Sequence, residues 1–575
     1  MVFVNEPVVN SPELTGRTAE VVRKAVDHLF ARQRPDGAWT DRLSSSTVST
    51  ALGLLALATA DEQRYRDRIE LGMDWLRAHQ REDGGWSMAD KFAPSSPGMT
   101  AFAIAACHRL DREGSAERIA RGHKFIEANG SFDVIPGMRG PGPKTWPAAA
   151  PVAWSLVGLR DIKDQPTLPI EIMLLPPKLR NKVSIGMPAV LALGLMQAKV
   201  IPASAPRRFL RWLARPRALA WLRSVLGPNG GVEECPMISA LMYLGLHAAE
   251  LGPDIQQASL DYLLDTQRPD GSWAIDRDLE IAVTCYAVHA LAEHIDVATD
   301  SRLRRTRDWL LSTQWTEPFK PLNIPAGAWS WNVPSGWPES EDTAVALSTL
   351  GLLGLSREHP KVADGLRWLR VRQNRNGSWS EWVRNSFILN DRPCTGVTAH
   401  VVMALHQHGE PRGTRAAIDR ALRWYHGDQL PDGSLPSLWF RDGTHGTAKV
   451  LETYAELGTP NHPVAVRARK WLWDNQAPSG AWPVSVQTSQ PGETVEETAW
   501  AVYSLLRAGT SPWDPRLVRA VDWLVARQNE AGSWPEAPVG LYFEDLCYSD
   551  DLIAHTYTLR ALACWLRLAG QSQRP

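Results

Sequence analysis

The chain has 575 residues, a formal net charge of −1, and 26 tryptophans against only 11 phenylalanines and 10 tyrosines. Its 44% hydrophobic and 22% charged residues fit a folded soluble protein of two to four domains at ~150 residues each. This composition excludes global disorder and a collagen-like chain, and its balanced charge implies no polyelectrolyte partner such as nucleic acid.

Cys107, Cys235, Cys285, Cys394, Cys547 and Cys564 are scattered without a C-x-x-C spacing, and read as reduced, buried cysteines with no zinc site. The opening segment, MVFVNEPVVNSPEL, lacks both the basic and the apolar region of a signal peptide. The longest apolar run, Met187 to Met196, is too short to span a bilayer. Together these point to a cytoplasmic protein.

In chain order, one pattern punctuates the sequence: an apolar helix face, an aromatic residue, Gln five places on, then Gly four and Trp six places after the Gln. The first copies are Gln33-Gly37-Trp39 and Gln80-Gly84-Trp86. After a stretch near 130–230 that reads as irregular come Gln267-Gly271-Trp273, Gln373-Gly377-Trp379, Gln476-Gly480-Trp482 and Gln528-Gly532-Trp534. A further copy, Gln429-Gly433, has Leu435 in the Trp place. The preceding aromatic is Trp75, Trp368, Trp424, Trp471 or Trp523, with His28 and Tyr262 in the remaining copies.

Spacings of 47, 56, 47 and 52 residues between copies signal an array of supersecondary units. Segments such as Thr343 to Leu355 and Thr398 to His406 have helical period, and P-D-G-S-W turns stop one helix before the next. Strand signals are nearly absent. Each unit therefore reads as a helical hairpin, its C-terminal turn pinned by Gln and covered by Trp. Hairpins of this kind stack, and a closed ring leaves no exposed end. The expectation is an all-α chain of two helical domains. The domains fall at 26–278 and 279–575, the second completed by residues 1–25.

Between the first copies and the middle of the chain, no Asp or Glu occurs from Ile172 to Val232, while ten Lys and Arg do, Lys182 among them. Within this stretch Arg207, Arg208, Arg211 and Arg215 alternate with Phe209, Leu210 and Trp212. A basic amphipathic insertion at about 170–228 suits an anionic bilayer surface or an anion site, with Pro216 kinking or splitting it. A solvated helix face, or a nucleic-acid patch, has the same composition.

Further on, Trp329, Trp331 and Trp337 lie off the repeat frame and lead into Glu339, Glu341 and Asp342 at the start of an apolar helix. Carboxylates crowded in a buried place cannot all ionise, so at least one keeps a proton. On a solvated surface the same run merely complements the helix dipole.

These features carry a resemblance. The Q-x-x-x-G-x-W repeats, the Pro169-Ile170-Glu171-Ile172-Met173 element, Trp337-Pro338-Glu339-Ser340-Glu341-Asp342-Thr343-Ala344 and Val397-Thr398-Ala399-His400 resemble, in order, segments of the squalene–hopene cyclase family. The resemblance implies two α/α barrel domains enclosing a hydrophobic cavity, and cyclisation of a linear isoprenoid started by protonating an alkene. It places the proton donor at Glu341, flanking carboxylates at Glu339 and Asp342, and a partner to the acid at His400. It places cation-stabilising or cavity side chains at Trp439, His445 and Tyr557, to which the off-frame Trp329, Trp331 and Trp337 are added as candidates.

It also implies a membrane-facing region around the P-x-E-I-M element, hence peripheral association with the inner face of the membrane. No cofactor is implied, Mg²⁺ entering only with a diphosphate substrate. A homodimer is one oligomeric state to consider. The chain departs from the family pattern with Glu for Asp at 339 and 341, with Gly396 in a carboxylate position, and with Ile281 to Cys285 in place of a Pro-Val-Trp-Asp-Thr-like stretch. Squalene or a similar long polyprene is the first expectation for the substrate. A prenyl diphosphate, a meroterpenoid precursor and a non-catalytic isoprenoid-binding barrel stay open.

Overall fold

A computed structural model describes residues 11–572 apart from 90–93, 130–153, 166, 182–185, 387, 389–390, 410–412, 442, 484–491 and 543–545. Residues 1–10 of the N-terminal segment and Lys182 of the basic stretch thus lie outside the described residues.

Each repeat acts locally. The Gln Nε2 donates to the carbonyl of the Gly four places on, as in Gln80 to Gly84 (2.9 Å) and Gln476 to Gly480 (2.7 Å). The Trp Nε1 donates to the carbonyl ten places back, in the last turn of its own hairpin's helix, as in Trp379 to Leu369 (2.8 Å) and Trp482 to Leu472 (2.7 Å). Helix-end carbonyls that would otherwise go unpaired are satisfied in this way. The Trp backbone N–H then donates to a threonine of the following inner helix, Trp379 to Thr398 Oγ1 and Trp482 to Thr498 Oγ1, both at 3.0 Å. The Gly is needed for space as well as for conformation. Gly37 has φ 96°, and a Cβ there would lie 2.3 Å from the Thr306 nitrogen.

Helix α1 (Ser11–Ala31) opens the described chain and runs through the expected boundary at residue 26. In the N-terminal part, α2 (Thr47–Asp61) packs against α3 (Pro97–Leu110) and, further along the chain, against α6 (Pro236–Ala249). Helix α6 also packs on α4 (Met187–Val200), which in turn meets α5 (Ala205–Val225).

Two expectations are corrected here. The stretch near 130–230, read as irregular, contains the regular helices α4 and α5. The run at Met187 has no helical period because α4 is buried on nearly every side, so it lacks the polar face that periodicity detects. Pro216 does not split α5, which is continuous from Ala205 to Val225. The carbonyl that loses its partner to Pro216 is that of Trp212, an exposed residue that water can reach.

The C-terminal part is a ring of six inner helices: α7 (Glu280–Ala292), α8 (Ser340–Leu352), α9 (Thr395–His408), α10 (Thr444–Glu456), α11 (Val495–Arg507) and α12 (Asp551–Ser572). Each packs on the next, and α12 closes on α7. Outside them the repeat glutamines link a second ring. Gln33 reaches Thr306 Oγ1 (3.0 Å), Gln314 reaches Lys361 O (2.8 Å), Gln373 reaches Ala417 O (2.9 Å) and Gln429 reaches Val464 O (3.0 Å). Gln476 reaches Arg516 O (3.0 Å), and Gln528 reaches Val21 O in α1 (2.9 Å). The first helix of the chain thus takes the sixth outer place in the C-terminal ring.

The fold is all-α, built as α/α barrels. Among the described residues the strands are two antiparallel pairs of two residues each, Trp86–Ser87 with Ser95–Ser96 and Gly540–Leu541 with Cys547–Tyr548.

Candidate active site

The first turn of α8 is tied down from two sides. The Glu339 N–H donates to Trp329 O (2.9 Å), and the Ser340 hydroxyl donates to Ser380 O (2.6 Å). The free N–H of Glu341 donates to the Glu381 carboxylate (3.0 Å), so a side chain from the following repeat caps this helix. Glu339, Glu341, Asp342 and Glu381 are all buried and line one cavity, with Trp331, Trp382, Trp439 and Tyr286 among its walls. Among the described residues lining it there is no lysine or arginine.

Burial dominates the electrostatics. It pushes the Glu339 carboxyl well above the usual range, helped by the charge of Glu381, and does the same to Glu381, helped by Glu341. Asp342 is pushed up to about 6 by burial, moderated by its hydrogen bond with Glu339. Glu339 and Glu381 therefore hold protons at neutral pH. Glu341 Oε1 lies 2.8 Å from His400 Nδ1 of α9, a close contact without the alignment of a full hydrogen bond.

The pair also forms a partition. Glu341 faces the aromatic cavity, whereas His400 lines a second, wider basin with Lys449, Glu452, Arg560 and His289. In that basin Lys449 Nζ and Arg560 both bind Glu452, at 3.3 and 2.9 Å. One hydrocarbon-like space and one charged, polar space meet at the acid.

The aromatic residues expected at the site divide. Trp331 and Trp439 line the cavity, joined through Trp382, whose ring meets theirs edge-on at 6.0 and 5.4 Å. Trp329 is a correction. Its Nε1 donates to Leu310 O (2.8 Å) and its N–H to Thr343 Oγ1 (2.9 Å), the bonds of a repeat tryptophan. Gln314 completes that copy by donating to Gly327 O across 13 residues instead of four, so an insertion hid it from the spacing. Trp337 is buried against Phe319, with ring centroids 5.2 Å apart, and does not line the cavity.

His445 packs between Phe440 (4.1 Å) and Trp500 (4.8 Å) behind the wall, and burial keeps it neutral, well below the usual histidine range. It takes the space next to Gly396, where a Cβ would lie 3.1 Å from His445 Cε1. Tyr557 lines the polar basin and meets the ring of Tyr286, which faces both spaces.

Sequence reasoning missed Glu381, Trp382 and Asp276. A usable signal existed, because Trp331, Glu381, Trp382 and Asp276 all stand two or three places after a repeat tryptophan. The exits of the Trp273, Trp329 and Trp379 repeats deliver these side chains to the cavity.

The basic patch also divides. Arg207 and Arg211 both turn to Glu171, at 2.9 and 3.5 Å, and Arg211 is buried, donating to the Ile201 carbonyl at 3.1 Å. Arg211 is therefore a structural link to the P-x-E-I-M element and not a surface cation. Arg208 and Arg215 remain exposed beside Phe209 and Trp212, which are 58% and 61% exposed. Leu175, Leu179, Val200 and Leu210 are the other exposed apolar side chains of this region. Among the described residues no set of His, Cys, Asp or Glu side chains is arranged to hold a metal ion.

Comparison with known proteins agrees over most of the chain. Residues 22–185 match the squalene-hopene cyclase N-terminal domain, and residues 279–548 match the squalene-hopene cyclase C-terminal domain. The squalene–hopene cyclase of Alicyclobacillus acidocaldarius is 26% identical over 90% of this chain and 92% of its own length. The labda-7,13-dienyl diphosphate synthase of Streptomyces clavuligerus is 28% identical over 40% of this chain and 39% of its own. Among solved structures, the ent-copalyl diphosphate synthase of Streptomyces platensis superposes with a TM-score of 0.61 at 21% identity, covering 96% of this chain and 99% of that one.

Proposed function

From the premise that this chain belongs to the squalene–hopene cyclase family and is a class II terpene cyclase, we propose that Glu341 is the acid that starts cyclisation of a linear, uncharged isoprenoid. The observation that carries this reading is the Glu341–His400 contact of 2.8 Å in the wall of a buried aromatic cavity. The proton passes from Glu341 to a terminal alkene, and the π electrons of each following alkene close a ring on the cation so formed. Loss of a proton from the last cation restores neutrality, so the product is an isomer of the substrate.

The carboxylate left on Glu341 is stabilised by His400, which faces the polar basin from which a proton can return. Glu339, Asp342 and Glu381 position Glu341, and Glu339 and Glu381 hold protons beside it. Trp331, Trp382 and Trp439 present aromatic faces to the cations, each worth ~2 kcal/mol when desolvated. Preorganised faces of this kind act without reorganisation at the moment of reaction.

The test is to incubate the protein in detergent with squalene, with farnesyl diphosphate and with geranylgeranyl diphosphate, and to analyse extracts by gas chromatography. Glu341→Gln is expected to lower product formation by roughly 10²–10⁴-fold. Unchanged product from that variant would remove Glu341 from the chemistry.

The exposed face of α5 supports peripheral docking on an anionic bilayer, with Phe209 and Trp212 entering the interface and Arg208 and Arg215 at the headgroups. Among the described residues no helix is long and apolar enough to cross a membrane. Trp212→Glu is expected to lower co-sedimentation with anionic vesicles about tenfold; equal binding by both proteins would show that this face does not dock.

A further inference from the structure

The cavity holds a second polar group that the acid chemistry does not use. Glu233 and Glu234 follow one another in the left-handed backbone region, at φ 57° and 52°, which is costly for residues other than glycine. Glu234 supplies the hold. It is fully buried, and its carboxylate accepts from Asn229 Nδ2 (2.9 Å), the Ser335 N–H (3.0 Å) and Arg277 Nε (2.8 Å).

This anchored turn delivers Glu233 to the cavity lining, together with Tyr542 and Asp276. Asp276 is satisfied there, accepting from Trp331 Nε1 (3.0 Å) and Asn332 Nδ2 (3.1 Å). Glu233 is not. The Tyr542 hydroxyl donates to its Oε2 at 3.2 Å, while Oε1 is buried with no partner among the described residues. Burial pushes this carboxyl up to about 8, so at neutral pH it is an uncharged group that both donates and accepts. Trp382 Nε1 and Trp439 Nε1 of the same lining also lack a partner among the described residues, but of the described lining residues other than glycine only Glu233 is presented by left-handed backbone, a costly conformation that points to a ligand.

We propose that Glu233 and Tyr542 bind a hydroxyl group carried by the substrate, so that the preferred substrates are linear prenyl alcohols or prenylated phenols. This rests on the cyclase reading above and names the substrate class of the same cavity. A hydroxyl matches the free carboxyl oxygen, since each group can donate and accept. A pure hydrocarbon leaves Oε1 unpaired. A diphosphate would set its negative charge beside Glu233 and Asp276 with no lysine or arginine among the described lining residues.

The test separates binding from turnover. Equilibrium binding to the full chain carrying Glu341→Gln is read by tryptophan fluorescence in one detergent, with geranylgeraniol, the hydrocarbon lacking its hydroxyl, and geranylgeranyl diphosphate as probes. The alcohol is expected to bind about tenfold tighter than either of the others. Glu233→Leu is expected to remove that preference while leaving hydrocarbon affinity within about threefold, and Glu233→Gln to keep most of it.

Equal binding of alcohol and hydrocarbon, tighter binding of the diphosphate, or an intact preference in Glu233→Leu would overturn the proposal. If Glu233→Leu does not fold, Tyr542→Phe replaces it, with weakened alcohol binding expected and unchanged hydrocarbon binding; no loss of preference there overturns the proposal equally. Turnover of the hydrocarbon by the parent protein in H₂¹⁸O is the second arm. Labelled hydroxyl in the product would assign the site to water capture and overturn a substrate-borne hydroxyl. Absence of cyclised product from every probe would break the cyclase reading alone, because the binding preference is measured without turnover.

Discussion

The helices α8 and α11 begin with nearly the same residues, Glu341-Asp342-Thr343-Ala344 and Glu496-Glu497-Thr498-Ala499. Both threonines do the same job, accepting the N–H of a repeat tryptophan at 2.9 and 3.0 Å. Both pairs of carboxyls are buried, and burial pushes Glu496 and Glu497 up to about 8. The surroundings differ. Glu341 faces an aromatic cavity and touches His400, whereas Glu496 accepts from the Ala537 N–H (2.8 Å) and Glu497 lies by Thr444 and Arg441. Neither Glu496 nor Glu497 lines the cavity or the basin. Holding a proton is thus common in this fold. Donating it to an alkene requires, in addition, a space for the alkene and a partner for the charge left behind.

The contrast can be broken at the partner first. His400→Phe keeps an aromatic side chain but removes the group proposed to stabilise the Glu341 carboxylate, and is expected to lower kcat about 10²-fold. An unchanged rate would make the two helix starts equivalent.

Next comes the space. Trp382→Leu removes a face that joins Trp331 and Trp439, and ~2 kcal/mol of cation stabilisation corresponds to about a 30-fold drop in turnover. Product analysis by gas chromatography should also show incompletely cyclised chains. Full activity with normal product would remove the aromatic wall from the chemistry.

The smallest effect on activity belongs to the second helix start. Glu497→Gln is expected to leave kcat within about twofold, far below the loss from removing a catalytic acid. Its effect is on stability. The folded chain holds this carboxyl at about 8 against an ordinary 4.5, so between those values it binds more protons than the unfolded chain. Stability from this group is complete below pH 4.5 and is lost as pH rises towards 8. Thermal unfolding should therefore show the parent losing Tm between pH 6 and pH 9, and the variant losing several degrees less. Parallel curves for the two proteins would show that Glu497 carries no such linkage.

How much was legible follows the range over which each residue acts. Gln80, Gly84 and Trp86 work within about ten positions, so their spacing exposes them and the hairpin they close. Trp329 escaped because its Gln314 and Gly327 are 13 apart. Arg211 looked like a surface cation because its partners, Glu171 and the Ile201 carbonyl, come from other elements. Glu381 and Trp382 carry no motif of their own, and only their place after Trp379 marks them.

The sequence by itself determined an all-α repeat architecture, the cyclase resemblance and the acidic helix start, because each rests on bonds or motifs spanning a few residues. Tertiary structure alone decided which of two similar helix starts meets a histidine and an aromatic cavity, that Trp329 closes a repeat, and that one carboxyl oxygen of Glu233 has no partner among the described residues beside Tyr542. The physical reason is that burial and cavity shape are made jointly by side chains from several repeats, hundreds of positions apart, whose proximity exists only after the rings close.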